Sequence, residues 1–193
     1  MLFKGVAMPA KKMISKESII QAALQIVRKD GMEGLNMRSL AKACNCSTQP
    51  IYLSFSGAEE VKAEVHARII AEYENCIKSE LASGKYPGYK ATGMGYIRFA
   101  KEQPELFKYM FMRDRGGVPT MDEESGFNDE VYKLMQNMGL YQDKAVALHT
   151  HMWVWVHGIA TMYATGYLNW DWETVSAMLT DAFFGIKARL DIK

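Results

Sequence analysis

Two groups of side chains in this sequence are of types that could do chemistry. The first, Ser47, Thr48, Gln49 and Tyr52, combines hydroxyls, an amide and a phenol within six residues. Such groups form hydrogen bonds with base edges and phosphates, so they suit the binding of DNA. The alternative is polar surface on a short helix, with Tyr52 packed and its hydroxyl in water. This stretch carries no charge, which is unusual for a solvated face and favours the DNA hypothesis.

The second group is His149, His151 and His157, which could bind a metal ion. His149 and His157 lie two helical turns apart, too far for one ion without other ligands, and no His-x-x-x-His pair occurs among them. The sequence also lacks a nucleophile elbow and a Gly-rich phosphate loop. We therefore expect no metal, no cofactor and no enzymatic activity. The competing hypothesis is a helical metal-dependent hydrolase that uses His149, His157 and Asp171 or Glu173.

The first group must be positioned by two short helices joined by a tight turn, over residues 40–55. Asn45 is among the residues best able to adopt the left-handed conformation that ends a helix. Ser47 is predicted to cap the next helix, and Pro50 falls in its first turn, where a missing N–H matters little. Ile51 and Phe55 are spaced i, i+4 and should point into the core. This pattern predicts a helix-turn-helix.

The residues at 40–55 read Leu-Ala-x-Ala-Cys-Asn-x-Ser-x-Gln-Pro-Ile-Tyr-x-x-Phe. This sequence resembles the signature of the tetracycline-repressor (TetR) family of one-component regulators, over about residues 15–65. Two positions depart from the family pattern. Asn45 stands where the family usually has Gly, and Gly57-Ala58-Glu59 stands where it usually has a Lys before an acidic pair. That Lys commonly meets the DNA backbone in the family.

Two helices should precede the helix that carries Gln49 and Tyr52, which we call the recognition helix. The first is capped by Ser15 and runs to about Asp30, and the second is capped by Asn36 and spans Met37 to Cys44. Arg38 and the amides at the start of that second helix are well placed to hold a phosphate.

Downstream, helical periodicity continues and no strand pattern occurs. A long helix is expected from Glu59 to Leu81. Further helices are predicted at about Lys90–Gln103, from Pro104, at about Phe127–Asn137, at Asp143–Leu168 and from Trp172 to about Arg189. A mobile acidic loop is expected at 115–124. The predicted fold is all-α, with about nine helices: a three-helix head and a larger C-terminal helical bundle.

The sequence Trp155-Val-His-Gly158 resembles the Trp-x-His-Gly element of one C-terminal subclass of the same family. The resemblance implies a small-molecule pocket in the body and pairing of the last two helices across a two-fold axis. The pocket is predicted to include Phe99, Met135, Met138, His149 and Trp153, with membership of the core as the alternative for each. The dimer interface is predicted at Val175, Leu179, Ala182, Phe183 and Ile186.

Charge divides the chain in a way that fits this organisation. Through Gly57 there are 8 Lys and Arg against 3 Asp and Glu, and the remainder holds 15 against 19. A basic segment followed by an acidic one is typical of a DNA-binding head on a body that repels DNA, although a near-neutral protein can show it by chance. We assign residues 1–14 to a basic flexible arm, 15–60 to the DNA-binding domain, and 61–193 to ligand binding and dimerisation.

The sequence contains no apolar run of the ~20 residues that a membrane helix needs, and no signal peptide is recognisable. Three Cys without a spaced pair suggest a reducing compartment, so a cytoplasmic location is expected.

The function predicted is a homodimeric repressor of transcription. It binds double-stranded palindromic operator DNA and is released by a small, largely apolar effector. The long helix from Glu59 would carry the effector's signal from the body to the head. The second hypothesis is a DNA-binding adaptor whose body recruits a protein and takes no small ligand.

Overall fold

The computed structural model describes residues 14–112, 129–167 and 169–192, without the side chain of Gln142. These residues form nine α-helices and a single 3-10 turn at Met32–Gly34, and they contain no strand, so the all-α prediction is confirmed. The helices are α1 Lys16–Asp30, α2 Met37–Ala43, α3 Gln49–Ser54, α4 Ala58–Ala82, α5 Gly88–Glu102, α6 Pro104–Phe111, α7 Asp129–Gln136, α8 Gln142–Ala164 and α9 Trp172–Arg189.

The chain forms two compact units, divided within α4 between His66 and Ala67. We call them the N-terminal unit and the C-terminal unit. The predicted boundary, between residues 60 and 61, lies a few residues earlier on the same helix.

Local signals explain the helices of the N-terminal unit. Ser15 caps α1 by accepting a hydrogen bond from the Ser18 amide (3.1 Å), and Gly31 ends it at φ 70°. Asn36 and Ser39 form a reciprocal capping box at the start of α2. The α2 helix packs against α1. The buried apolar residues are Ile19, Ile20, Ala23, Leu24, Val27, Leu35, Leu40, Ala41, Ile51, Phe55, Val61 and Val65.

The C-terminal unit is built around α5 and α8. The α8 helix packs against α5, α6, α7 and α9, and α5 also contacts α6, α7 and α9. Tyr89 pairs with His149 and Tyr96 pairs with His157, each at 2.9 Å between phenol oxygen and Nδ1. Because the residue numbers rise together along both helices, α5 and α8 run in the same direction.

A glycine allows α4 and α5 to approach closely within this unit. A Cβ atom at Gly95 would lie 3.0 Å from Cδ1 and 3.2 Å from Cα of Ile77. Beside this contact, Arg98 Nε donates to the buried carboxylate of Glu80 at 2.7 Å. The hydrogen bond from Arg98 to Glu80 raises the pKa of the guanidinium. The Arg98 guanidinium also lies 4.9 Å from the ring centre of Trp172 in α9.

Two predicted helix ends are wrong. The α8 helix stops at Ala164 rather than Leu168, because Gly166 adopts φ 71° and turns the chain. The α5 helix starts at Gly88 rather than Lys90, directly after Pro87. The predicted mobile loop at 115–124, the start of the Phe127 helix and residues 1–13 of the predicted arm lie outside the described residues.

Candidate DNA-binding helix and ligand cavity

The turn between α2 and α3 fixes which face of α3 is exposed. Asn45 adopts the left-handed conformation predicted for it, with φ 49°. The amide of Cys46 then donates to the Ala41 carbonyl at 3.0 Å, which closes the turn. On α3 itself, Ile51 and Phe55 are buried in the core of the N-terminal unit. The opposite face of this helix is therefore presented outward.

Gln49 and Tyr52, both predicted to contact DNA, lie on this outward face. The Gln49 side chain is exposed, and Tyr52 is 54% exposed. Thr48 is half-buried and occupies the capping position of α3. Leu53, which is not among the predicted DNA contacts, is 81% exposed beside Tyr52. Its position in the sequence could have shown this exposure. Leu53 comes two residues after the inward-facing Ile51, so it falls on the outward, polar face of α3.

The predicted cap at Ser47 is wrong. The α3 helix begins at Gln49, so Thr48 is its cap residue, with φ −69° and ψ −21°. Pro50 has no N–H, so the first amides of the helix to donate are those of Ile51 and Tyr52, and both donate to the Thr48 carbonyl at 3.1 Å. Ser47 remains exposed at the turn and so remains a candidate DNA contact.

Two of the amides at the start of α2 are already used and are not available for a phosphate, contrary to the prediction. Those of Arg38 and Ser39 both donate to Asn36 Oδ1 at 3.0 Å. The exposed Arg38 side chain is the group at this position that could meet a DNA backbone.

A carboxylate stabilises the connection from α3 to α4, where the family's usual Lys is missing. Glu60 Oε2 accepts from the amide of Ser56 at 2.7 Å and from its hydroxyl at 2.9 Å. Lys16 Nζ donates to the other oxygen at 3.2 Å. These bonds, chiefly that from the Ser56 amide, lower the pKa of Glu60.

The C-terminal unit contains a cavity of about 640 Å³, a volume within the usual range for small-molecule sites. Of the five predicted pocket residues, Met138, His149 and Trp153 line it. Phe99 and Met135 do not: both are buried in the core, where Phe99 packs edge-on against Tyr73. Most of the wall is apolar or aromatic, and α4, α5, α6, α7, α8 and α9 all contribute to it.

The histidines of α8 are held by tyrosines. His149 is buried and bonded to Tyr89, while His157 is bonded to Tyr96 and stacks on Trp153 at 5.2 Å between ring centres. Burial raises the pKa of Tyr89, which keeps this phenol neutral. Within the described ranges, no cluster of three or more His, Cys, Asp and Glu could hold a metal ion.

Asp171 has a structural task. Its carboxylate caps α9 by accepting from the Thr174 amide at 2.7 Å, which lowers its pKa. Both histidines of the hydrolase hypothesis are therefore bonded to phenols, and Asp171 is bonded to the start of α9.

Two predicted interface residues lie inside the subunit. Val175 and Leu179 are 0% and 3% exposed, so they cannot contact a second copy. Ala182, Phe183 and Ile186 are half-buried, and Phe183 lines the cavity together with Leu179. The exposed apolar side chains of these helices are Val146, Val154, Trp155 and Met162 on α8 and Phe184 on α9, and Phe184 also borders the cavity. Helical periodicity identified the helices correctly but selected the inward face of α9.

No helix in the described ranges has the length and apolarity needed to cross a membrane.

Comparisons with known proteins agree with this architecture. Residues 89–183 match the tetracyclin repressor-like C-terminal domain family. The chain is 23% identical over 192 residues to an uncharacterized HTH-type transcriptional regulator of Mycobacterium tuberculosis, covering 97% of this chain and 86% of that protein. The subclass suggested by Trp155, His157 and Gly158 remains a prediction.

Two solved structures share the fold. A TetR-family regulator of Vibrio parahaemolyticus aligns with a TM-score of 0.63 at 15% identity, over 87% of this chain and 96% of that chain. A TetR variant of Acinetobacter baumannii, solved in complex with minocycline, aligns at 0.51 and 16% identity, over 92% and 95%. The C-terminal unit thus matches a TetR domain family, and the chain as a whole is similar to helix-turn-helix transcriptional regulators of the TetR type.

Proposed function

We propose that this regulator is a repressor that binds a palindromic operator as a homodimer and is released by a small, largely apolar effector. The observation that carries the DNA-binding part is the division of α3 into two faces. Ile51 and Phe55 fix the helix to the core, and Gln49, Tyr52 and Leu53 are left exposed on the other side. Gln49 is suited to a paired hydrogen bond with adenine, and the Tyr52 hydroxyl to a phosphate. We assign Arg38, Ser47 and Thr48 to supporting contacts.

Operator selection followed by gel-shift assays tests this assignment. Gln49→Ala should change the sequence preference, costing about 1–3 kcal/mol at the base pair that it contacts. Tyr52→Phe should weaken binding to all sequences alike, because phosphates carry no sequence information. Gln25→Ala, at an exposed position on α1, is the matched control and should bind as the wild type does. Unchanged affinity and preference in both α3 variants would show that the wrong face has been assigned.

The cavity supports the effector part of the proposal. The α4 helix contributes Tyr73 and Ile77 to the cavity wall, and its earlier residues Val61 and Val65 belong to the core of the N-terminal unit. One helix is thus in contact with both the ligand site and the core that holds α3. Ordinary coupling between two sites is worth about 1–3 kcal/mol, or roughly 5- to 150-fold in affinity. The minocycline complex of the TetR variant is a precedent for a ligand in this fold.

Reciprocal titrations test the release. Trp153 lines the cavity, so a bound ligand should change tryptophan fluorescence. Linkage requires that operator DNA weaken ligand binding by the same factor by which the ligand weakens DNA binding. Equal ligand affinities with and without operator would leave a DNA-binding protein that lacks this switch.

A further inference from the structure

Among the residues that line the cavity, Trp153 carries a buried donor that the protein does not use. Its indole Nε1 is buried and has no acceptor among the described residues. The phenols of Tyr89 and Tyr96, in the same wall, are each bonded to a histidine. Leaving a buried donor unpaired costs stability, and a small rotation of the indole that brought Nε1 to the cavity surface would let a ligand oxygen remove that cost.

Lys90 is the second polar group in the wall that concerns ligand binding. It is a cation, and the described residues give it no carboxylate partner. Its Nζ donates to the hydroxyl of Thr180 at 2.7 Å and lies 5.3 Å from the ring centre of Tyr86. Within the described ranges, no carboxylate lies within ion-pair distance of it. Burial lowers the pKa of Lys90, as expected for a cation partly removed from water. An anionic ligand would compensate that charge.

Lys78 provides the contrast, because it also lines the cavity but is already paired. Its Nζ lies 3.2 Å from Glu74 Oε2. The net charge of this pair is zero, so it should neither attract nor repel an anion strongly.

We propose that the effector is an apolar monocarboxylate, held by charge pairing with Lys90 and by an acceptor oxygen against the Trp153 indole. The aromatic and aliphatic wall would bury its hydrocarbon body. This inference rests on the proposed function only in identifying the cavity as the effector site. A neutral or cationic ligand of the same shape would leave the charge of Lys90 uncompensated, so it should bind more weakly.

The test measures, by calorimetry on the full chain, the affinities of a series of linear carboxylates from hexanoate to hexadecanoate and of the matching primary alcohols. We expect at least one carboxylate to bind about 10- to 100-fold more tightly than its alcohol, the usual difference for a hydrogen bond to a charged group. The proposal would be overturned if no carboxylate of the series bound, or if every acid and its alcohol bound with equal affinity.

Three variants assign the preference to Lys90. Lys90→Met should reduce it about 10- to 100-fold, while Lys90→Arg should retain most of it because the charge is kept. Lys78→Met combined with Glu74→Gln removes a cavity-lining pair whose net charge is zero, so this double variant should leave the preference unchanged. Far-ultraviolet circular dichroism and thermal unfolding verify that each variant folds. A preference that survives Lys90→Met, or one lost equally in the double variant, would contradict the assignment.

Trp153→Phe tests the second contact, since it keeps a ring but removes the N–H. Affinity for the carboxylate should fall about 2- to 10-fold, as for loss of one neutral hydrogen bond. An unchanged affinity would remove Trp153 from the proposal.

A gel-shift assay with the carboxylate that binds most tightly distinguishes the proposed ligand class from the proposed release of the operator. If the acid binds through Lys90 but DNA binding is unchanged, the ligand class stands and release fails. If other molecules release the operator and no carboxylate binds, release stands and the ligand class fails.

Discussion

At the scale of single residues, Glu60 shows how one carboxylate can stabilise the junction after the recognition helix. It accepts two hydrogen bonds from Ser56 and one from Lys16. A carboxyl group whose pKa is lowered by folding stabilises the native state above its unfolded pKa, about 4.3, and loses that contribution as the pH falls. The N-terminal unit should therefore become less stable as the solution is acidified.

We predict that Glu60→Gln lowers stability near neutral pH and makes it less dependent on pH between about pH 5 and pH 3. Thermal unfolding of both proteins across this range measures the effect. Glu59→Gln is the control, because the Glu59 side chain is exposed and pairs with Lys62 at the surface. If Glu60→Gln and the wild type lose stability in parallel on acidification, this carboxylate does not contribute as described.

Residue-level prediction from the sequence succeeded where one side of a helix is polar. On α3, the alternation of Ile51 and Phe55 with Gln49 and Tyr52 identified both faces. It failed within the C-terminal unit, where both sides of a helix are apolar. Phe99 is as hydrophobic as a cavity wall requires, yet it packs in the core. Composition cannot distinguish a side chain that borders a cavity from one that fills the core, because both lose water.

At the scale of elements, Gly95 determines how closely α4 and α5 can approach. We predict that Gly95→Ala destabilises the C-terminal unit by about 1–3 kcal/mol, because its Cβ would press on the backbone of Ile77. Gly158→Ala is the control on α8, where a Cβ meets nothing within 4 Å. That change should stabilise by up to about 1 kcal/mol through helix propensity.

Chemical unfolding measures both changes, made in the background of Phe184→Glu so that contacts between copies do not contribute. Equal stability of the two glycine variants would indicate that the helices can separate without cost.

Two of the three predicted helix caps are confirmed. Ser15 and Asn36 cap α1 and α2 as predicted, whereas Ser47 does not cap α3, and the bounds of α9 agree with the prediction. Such signals are local, since each depends on hydrogen bonds within one turn. The end of α8 was not predictable in the same way, because Tyr167 continues the apolar pattern past the turn at Gly166.

At the scale of the whole molecule, the exposed apolar residues on α8 and α9 are best explained by a second copy of the chain. Phe184 is 61% exposed, and Trp155 and Met162 on α8 are also exposed. Pairing these helices with their copies would form a self-complementary four-helix contact under two-fold symmetry. We predict that Phe184→Glu gives a monomer that binds the palindrome weakly, because an unpaired charge would be buried in the contact.

Light scattering at micromolar concentration measures the oligomeric state. Leu53→Glu is the matched control: it places the same charge at another exposed apolar position, so it should impair DNA binding and leave the dimer intact. A monomeric wild-type protein, or a dimeric Phe184→Glu variant, would contradict the assignment.

The shared direction of α5 and α8 has a consequence for how the chain folds. The two tyrosine–histidine pairs join residues 60 and 61 positions apart in the sequence. Parallel neighbours cannot be joined by a short turn, so a long loop must close before these helices meet, which raises the entropy cost of closure and slows folding. The N-terminal unit depends on contacts that are closer in sequence. During synthesis, the DNA-binding unit should therefore fold while α5 still lacks the helix that covers it, and that exposed face is where a nascent chain would be most prone to aggregate.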